Sequence, residues 1–360
     1  MSLLPTLLAS LLITVACITL LRLLAPAVGL VDKPGGRKKH TGEIPVVGGI
    51  GMYAGLLFAL VELGSAIPNS MMLLIASTLL VAVGVLDDKA DLSPKLRLLT
   101  QTLVALIACL GAGLVTPTLG DILFVGEINL GFLAVPFSVL VVITAINAFN
   151  FIDGLDGLTS GTALAAFSSA GIAGVLFAGD AIIALSLVGL SLVIAFMVFN
   201  FPSTRIARVR TFMGDAGATL LGLLVVWVGL SLSTGNSASV SPIAALWIAA
   251  IPISDFFNCF VRRLRRGQHP MAADREHLHH HLLNAGLTPR QVMLVVSALS
   301  FTLGLGALLA HRAGVPDGFL FFGMLGLCVA QNRVFNPESK LSKLLPARMT
   351  RAHVESPKAG

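Results

Sequence analysis

The chain has 360 residues, of which 56% are apolar and only 12% are charged, and its mean hydropathy is +0.91. Soluble globular proteins carry roughly a quarter charged residues, so this composition excludes a soluble enzyme, a disordered tail and a disulfide-rich scaffold. The net charge of +6 could indicate nucleic acid. In a membrane protein, however, basic residues collect in cytoplasmic loops, and we predict no nucleic-acid partner. The chain is predicted to be an all-α, multi-pass protein of the lipid bilayer.

Apolar runs separated by charged or Gly/Pro/Ser-rich breaks predict eleven transmembrane helices. In chain order they cover residues 3–28, 46–64, 70–86, 97–118, 132–149, 158–178, 181–200, 216–233, 241–260, 291–310 and 315–332. The first run lacks a basic start and a small-residue cleavage site, so we interpret it as a retained helix and not as a signal peptide. We expect one integral-membrane domain over residues 1–335 and a flexible cytoplasmic tail over residues 336–360.

The charges of the loops predict how these helices are oriented. Eleven spans place 22 of the 24 lysines and arginines in alternate loops and in the C-terminal tail, and only Arg22 and Arg312 lie elsewhere. Positively charged residues stay on the cytoplasmic side. We therefore expect the N-terminus outside and the C-terminus in the cytoplasm, whereas an even number of spans would place both termini on one side.

Acidic residues lie at the span ends that face the basic side. In chain order these are Asp87 and Asp88, Asp153 and Asp156, Asp215, and Asp274 and Glu276. A carboxylate beside a long apolar run is energetically costly and usually functional. A loop end would explain one isolated aspartate, but acids so far apart in sequence and on one face predict a single polar site at the inner membrane surface.

Two of these acidic groups favour a divalent cation. Adjacent carboxylates such as Asp87 and Asp88 repel each other and are best tolerated when they share a cation or a basic group. Mg²⁺ takes oxygen ligands and keeps substrate phosphates in its shell. Asp215 begins an apolar helix after Gly214, where a carboxylate also stabilises the helix N-terminus, so a capping role stays open for it.

Four polar side chains recur every third residue at the end of one span, namely Asn147, Asn150, Asp153 and Asp156. This spacing places them along one side of a helix end or of a tight turn, and the glycines among them allow close approach of the backbone. A capped helix start would explain Asp156 alone. The pattern as a whole favours a functional site.

The loop after the ninth span contains four histidines within five residues, His277 and residues 279–281. Histidine clusters first suggest zinc, but this one has no cysteine and no HExxH spacing, and adjacent histidines on a helix point in different directions. Its mixture with Arg275 and Asp274 better suits an anion such as a diphosphate or a sugar nucleotide.

The segments DDKADLSPK, NAFNFIDGLDGL, FMGDAGATLLG and REHLHHHL occur in this order. Together they resemble the motifs of the polyprenyl-phosphate N-acetylhexosamine-1-phosphate transferases, and the resemblance runs from Gly29 to about Gln291. The flanking stretches GLVDKPGGRKKHTGEIPVVGGI and ADREHLHHHLLNAGLTPRQ are similar to the branch that uses undecaprenyl phosphate and UDP-GlcNAc. The resemblance implies transfer of GlcNAc 1-phosphate to undecaprenyl phosphate with release of UMP. It further implies the first membrane step of O-antigen or other cell-envelope polysaccharide synthesis, at the cytoplasmic face of a bacterial inner membrane.

The resemblance also implies roles for individual residues. The implied catalytic residues are Asp87, Asp88, Lys95 and Asp156, the implied substrate-binding residues are Asn147, Asn150, Asp153, Phe212, His277, His279 and His280, and the implied metal ligands are Asp215, Asp88 and Asn150. Phe212 would stack on uracil, and the histidines would contact the sugar diphosphate. The implied cofactor is Mg²⁺, with Mn²⁺ as the alternative, and a homo-oligomer is left open.

The histidine motif bears on the identity of the donor. Residues 279–281 continue as Leu-Leu-Asn, whereas the related enzymes for UDP-MurNAc-pentapeptide typically have a glutamate soon after three histidines, so that donor is disfavoured. The third histidine leaves the register of the motif ambiguous by one residue. UDP-QuiNAc and UDP-FucNAc remain alternative donors.

The implied reaction is attack of the lipid phosphate on the β-phosphorus of the donor. The second pKa of a phosphate monoester is roughly 6, so this nucleophile is largely dianionic, and catalysis would consist of positioning and charge neutralisation. Single displacement is favoured, with an aspartate base or a covalent aspartyl intermediate left open. The competing class is a transporter of lipid-linked sugars, but transporters usually bind at the bilayer midplane and show repeat halves, which this sequence lacks.

Overall fold

A computed structural model describes residues 2–33, 42–202, 209–234, 240–267 and 277–335. Over these residues the protein is mostly helical, with a short antiparallel ribbon of β1, Val31–Asp32, and β2, Ile44–Pro45. The helices are α1 Leu3–Val28, α2 Gly48–Leu63, α3 Ser70–Ala90, α4 Pro94–Leu106, α5 Ala134–Ile152, α6 Leu158–Ala173, α7 Asp180–Asn200, α8 Gly214–Ser233, α9 Pro242–Leu246, α10 Ala250–Arg265, α11 Leu278–Asn284, α12 Pro289–Arg312 and α13 Asp317–Phe335. The predicted tail, 336–360, and the acids Asp274 and Glu276 lie outside the described residues.

Nine helical segments in these described ranges are long and apolar enough to cross a membrane. The other two predicted spans correspond to α2, which is apolar but has only 16 residues, and to α13, whose last turns carry the polar residues Gln331, Asn332 and Arg333. The prediction of a mostly helical, multi-pass membrane protein is confirmed.

Two predicted spans differ from the observed helices. Region 241–260 is not one continuous helix, because a 3₁₀ turn over Trp247–Ala249 separates α9 from α10. Pro242 and Pro252 lie in the first turns of these two helices, the place where proline is tolerated. The predicted span 97–118 already ends at Gly111, in a π-helical turn, and a loop follows it.

Helix α8 is the centre of the bundle. It packs against α2, α3, α5, α6 and α7, and every residue from Ala216 to Leu230 is buried. A helix that is apolar on all sides belongs to a core. Small residues allow its neighbours to approach closely, since a methyl group at Gly84 of α3 would lie 2.5 Å from the Cα atom of Ala216. The start of α8 is therefore fixed beside the end of α3.

Candidate functional site

The predicted site residues on three different helices meet at one end of the bundle. Asp87 and Asp88 lie in the last turn of α3, Asn147 and Asn150 lie near the end of α5, and Asp215 lies in the first turn of α8. The chain runs in opposite directions in successive helices, so these termini come together although they are far apart in sequence.

Asp88 caps the start of α8. Its carboxylate oxygens accept the backbone N–H groups of Asp215 at 2.7 Å and of Ala216 at 3.3 Å. The first N–H groups of a helix have no partner within the helix and carry the positive end of its dipole. At this turn Gly214 has a φ of +69° and lies directly against the Asp88 carboxylate. These contacts favour a structural role for Asp88, and metal ligation by Asp88 stays a prediction.

Asp87, Arg97, Asn150 and Asp215 form a second network, which we name the carboxylate cluster. Arg97 Nη1 lies 3.1 Å from Asp87 Oδ2 and 3.7 Å from Asp215 Oδ2. The Asn150 side-chain amide donates to Asp215 Oδ1 at 2.6 Å, and the Leu92 N–H donates to Asp87 Oδ1 at 2.7 Å. The Asp87 side chain is 3% exposed and that of Asp215 is 36% exposed. An incoming ligand therefore reaches Asp215 more easily than Asp87.

A cavity of about 530 Å³ lies beside the carboxylate cluster, between α3, α4, α5, α8 and α10. Its polar lining includes Asp87, Lys95, Arg97, Asn150 and Asp215, and its apolar lining includes Leu80, Val83, Leu98, Leu140, Phe257 and Phe260. Lys95 is exposed and has no ion pair within the part of the chain that the structure describes. Cavities with mainly apolar walls and a few placed polar groups are typical ligand sites, and this one suits an amphiphile with an anionic head.

Asn147 joins α5 to α4. Its amide group donates to Gln101 Oε1 at 2.6 Å and to the Ile143 carbonyl at 2.8 Å, and the Gln101 amide donates back to Asn147 Oδ1 at 3.4 Å. Both side chains are buried and both line the cavity. A buried amide that is hydrogen-bonded on both sides is held in one orientation, so Asn147 forms a rigid part of the cavity lining.

Asp153 and Asp156 occupy the turn between α5 and α6 and do not line this cavity. Asp153 accepts a hydrogen bond from Thr159 Oγ1 at 2.9 Å, and burial, together with neighbouring carboxylates, raises the pKa of Asp153 to about 7. Asp156 forms an ion pair of 2.5 Å with Arg210 and accepts a longer hydrogen bond from Asn200 at 3.4 Å. This turn is thus tied to the segment that precedes α8.

Phe212 extends the β-ribbon beside the same turn. Its N–H donates to the Pro45 carbonyl at 2.9 Å, and its carbonyl accepts the Gly48 N–H at 3.0 Å. The guanidinium of Arg210 lies 5.0 Å from the centre of the Phe212 ring, within the range of a cation–π contact. Arg210 therefore connects the aromatic ring to Asp156.

The histidine loop, residues 277–281, begins at a buried aspartate of α10. His277 Nδ1 lies 2.8 Å from Asp255 Oδ2, and the Leu278 N–H donates to Asp255 Oδ1 at 2.8 Å. His277 precedes the first residue of α11. The loop is therefore anchored to a transmembrane helix at its first two residues.

His279 is 1% exposed, and neither of its ring nitrogens has a hydrogen-bond partner among the described residues. Burial and the neighbouring histidines lower the pKa of His279 to about 3, so the ring is neutral at pH 7. The ring lies against Gly154, where a methyl group would be 2.5 Å from Nε2, and 4.1 Å from the ring of His280. Buried polar groups are normally hydrogen-bonded, so these nitrogens are unusual, and contact of His279 with a substrate stays a prediction.

The carboxylate cluster fits a hard divalent cation. Asp87, Asn150 and Asp215 offer oxygen atoms, which are the ligands that Mg²⁺ prefers. The guanidinium of Arg97 already contacts both carboxylates, so the cluster already accommodates one positively charged group.

Sequence reasoning missed four residues that hold the site together: Arg97, Asn200, Arg210 and Asp255. Arg97 and Arg210 are inconspicuous among many loop arginines. Asp255, in contrast, ends a stretch with no charged residue that begins at Ala216. An acid at such a position is a functional signal in a membrane protein, and this signal could have found it.

Residues 70–233 match the family described as Glycosyl transferase family 4. The chain is 36% identical over 330 residues to the undecaprenyl-phosphate alpha-N-acetylglucosaminyl 1-phosphate transferase of Yersinia pestis, with 88% of this chain and 89% of the relative covered. The protein of the same name from Salmonella typhi is 36% identical, covering 88% of each chain. That from Escherichia coli K12 is 35% identical over 320 residues, covering 86% of each chain. The carboxylate cluster lies inside the matched family region, and the histidine loop lies outside it.

Proposed function

This chain belongs to glycosyl transferase family 4, and we propose that it transfers N-acetylglucosamine 1-phosphate from UDP-N-acetylglucosamine to undecaprenyl phosphate, releasing UMP. Membership of the family confirms the resemblance drawn from the four motifs. UDP-QuiNAc and UDP-FucNAc are the alternative donors. The sugar, the polysaccharide pathway and the residue roles are parts of this proposal.

The observation that carries the proposal is the cavity beside the carboxylate cluster. Charged and amide groups line one part of it and leucine, valine and phenylalanine side chains line the rest. An isoprenoid phosphate has the same division, because a dianionic head is joined to a long hydrocarbon chain. Its phosphate would contact Lys95 and Arg97, and its first isoprene units would lie along α4 and α10.

The donor would bind on the other side of Asn150 and Asp215. Phe212 offers a flat ring for the uracil base, and His277, His279 and His280 offer imidazole nitrogens to the diphosphate and the sugar. Asp153 and Asp156 would line the nucleotide side of the site. The neutral ring of His279 can both donate and accept a hydrogen bond, as binding to a hydroxyl or a phosphate oxygen requires.

Asp215, with Asn150 and Asp87 or Asp88, would hold the divalent cation, for which Mg²⁺ is proposed and Mn²⁺ is the alternative. A bound cation would neutralise the phosphate charges of the two substrates. In the transfer, an oxygen of the lipid phosphate bonds to the β-phosphorus, the bond from that phosphorus to the UMP oxygen breaks, and UMP leaves. The acceptor is largely dianionic at neutral pH, so no residue has to remove a proton. Asp87, already bonded to Arg97 and to the backbone, would serve to fix that guanidinium against the acceptor.

We also propose eleven spans, with the N-terminus outside, the C-terminus and the site in the cytoplasm, and the bacterial inner membrane as the location. The basic loops and the position of the site residues at one end of the bundle support this orientation. Single-cysteine labelling tests it. Labelling of Lys95→Cys from the outside of intact cells would reject the scheme.

The test of function is UMP release by the detergent-purified protein from a panel of UDP-sugars with undecaprenyl phosphate and Mg²⁺. We expect the highest rate with UDP-GlcNAc, and no release when the lipid phosphate is omitted. A transporter of lipid-linked sugars would release no UMP under any of these conditions. That result would contradict the proposal.

A further inference from the structure

Asp255 is a buried carboxylate that joins three helices. It is 2% exposed. Besides its contacts with His277 and Leu278, its Oδ1 accepts a hydrogen bond from the side-chain amide of Gln331 on α13 at 3.2 Å. Taking a carboxylate out of water is costly unless hydrogen bonds stabilise its charge. Asp255 accepts three hydrogen bonds, and these bonds hold α11 and α13 to α10.

The contact with Asp255 selects one tautomer of His277. A carboxylate only accepts, so His277 Nδ1 must carry the proton that it donates across 2.8 Å. In a neutral imidazole with this tautomer, the other ring nitrogen, Nε2, is the acceptor. The ring of Phe151 also packs against that of His277 in a T-shaped arrangement, with 6.0 Å between the ring centres and an angle of 80° between the planes.

The effect of this contact extends to the remaining histidines. The rings of His277 and His279 are 5.8 Å apart and nearly parallel, at 8°. His279 in turn lies against Gly154, between the two aspartates of the turn after α5. The position of Asp255 therefore determines how the start of α11 packs against the 153–156 turn.

Asp255 and His277, together with Cys259 of α10, could instead be taken for a metal site, because ligand atoms of these three side chains lie within 4.8 Å of one another. The 2.8 Å between Nδ1 and Oδ2 is an ordinary hydrogen bond, and Cys259 Sγ lies 3.4 Å from the same nitrogen. A thiol, an imidazole and a carboxylate favour zinc over Mg²⁺. The observed distances favour the hydrogen-bonded arrangement.

We propose that Asp255 is a positioning residue for the transfer reaction, which fixes the tautomer and the orientation of His277 and seats the histidine loop against the 153–156 turn. This proposal rests on the proposed function. It assigns to Asp255 no contact with substrate, so its effect on activity should pass through His277.

The first test is Asp255→Asn, which keeps the size of the side chain and the acceptor for Leu278. Its amide nitrogen is a donor, so it forces His277 to accept at Nδ1 and reverses the tautomer. We expect kcat/KM for UDP-GlcNAc to fall by about tenfold or more, with little change in the KM for undecaprenyl phosphate and in Tm. Gln331→Leu is the matched control, since it removes a donor from the same carboxylate without touching His277, and it should stay within about twofold of wild type.

The second test is a double-mutant cycle with His277→Ala. If Asp255 acts through His277, adding Asp255→Asn to His277→Ala should change turnover by less than about twofold. The cycle can be run with Asp255→Glu, which keeps the charge, if Asp255→Asn does not purify. The proposal would be overturned if the fold-loss of turnover in the double variant equalled the product of the losses in the two single variants. Wild-type turnover of Asp255→Asn would also overturn it.

Two further outcomes separate this proposal from its alternatives. A stoichiometric zinc content of the purified wild-type protein that disappears in Asp255→Asn would overturn the hydrogen-bonded arrangement in favour of a metal site. Absence of UMP release by the wild type with every UDP-sugar would reject the proposed function, and this inference with it. An active wild type with an equally active Asp255→Asn rejects the inference alone.

Discussion

The carboxylate cluster and the histidine loop lie at the same end of the bundle but are built differently. In the cluster, Asp87 and Asp215 are held by the Arg97 guanidinium, the Asn150 amide and the backbone N–H of Leu92. In the loop, the buried ring of His279 has no hydrogen-bond partner among the described residues. The carboxylates of the cluster thus have hydrogen-bond and ion-pair partners within the protein. The nitrogens of His279 would gain such partners from a ligand. This difference supports the proposal that the cluster holds the metal and the acceptor phosphate and that the loop binds the donor.

The largest expected effect is that of Asp215→Asn. Asparagine keeps an oxygen for the Asn150 amide, so the helix start and the thermal stability should change little. The loss of the exposed negative charge should lower the rate of UMP release on the order of 10²-fold or more and weaken its dependence on Mg²⁺. The matched control is Asp121→Asn in the loop at the other end of the bundle, which should be near wild type. Wild-type turnover and an unchanged Mg²⁺ titration for Asp215→Asn would move the metal out of the cluster.

The histidine loop gives the next largest effect. His279→Ala should lower turnover about tenfold and weaken UDP-sugar binding, because it removes both nitrogens from the donor side. Gly154→Ala should do the same without touching a polar group, since its methyl group would displace the His279 ring. Gly306→Ala, at a helical position with open space around it, is the control. Normal activity of both His279→Ala and Gly154→Ala would show that the histidine loop does not take part in binding the donor.

A smaller and more selective effect is expected from Arg97 of the carboxylate cluster and from Lys95, which lines the cavity beside it. Arg97→Met leaves the buried Asp87 without its guanidinium, whereas Lys95→Met removes only an exposed charge. We expect a rise of several-fold, roughly three- to tenfold, in the KM for undecaprenyl phosphate in Arg97→Met, with a lower Tm, and a smaller rise in Lys95→Met. Kinetics and thermal unfolding in detergent measure both effects. Equal effects of the two substitutions would show that the ion pair of Arg97 with Asp87 makes no contribution of its own to acceptor binding or to stability.

The smallest effect concerns stability and pH. The pKa of Asp153 is about 7 in the folded protein against an ordinary value of 3.8, so folding favours the neutral carboxyl group. That contribution is present at low pH and is lost as the pH rises through about 7. Asp153→Asn is neutral at every pH and should therefore raise Tm relative to wild type by more at pH 8 than at pH 5, in buffer without Mg²⁺. An equal shift in Tm at both pH values would contradict the raised pKa.

Sequence patterns predicted the helices and the aspartates of the site but not how these aspartates are held. Apolar runs follow from the composition of each segment alone, so α1 is predicted to the residue. The role of Arg97 depends on which of several arginines meets Asp87 in three dimensions, and no local pattern contains that information. The break between α9 and α10 is not predicted, because a hydropathy average over residues 241–260 does not register Pro252, which lies in the first turn of α10.

The division of the site between two substrates is tested most directly by initial rates of UMP release with both substrates varied, for wild type, Arg97→Met and His279→Ala. We predict that Arg97→Met raises the KM for undecaprenyl phosphate and leaves that for UDP-GlcNAc near wild type, and that His279→Ala does the opposite. A rise in the KM for the same substrate in both variants would contradict the division.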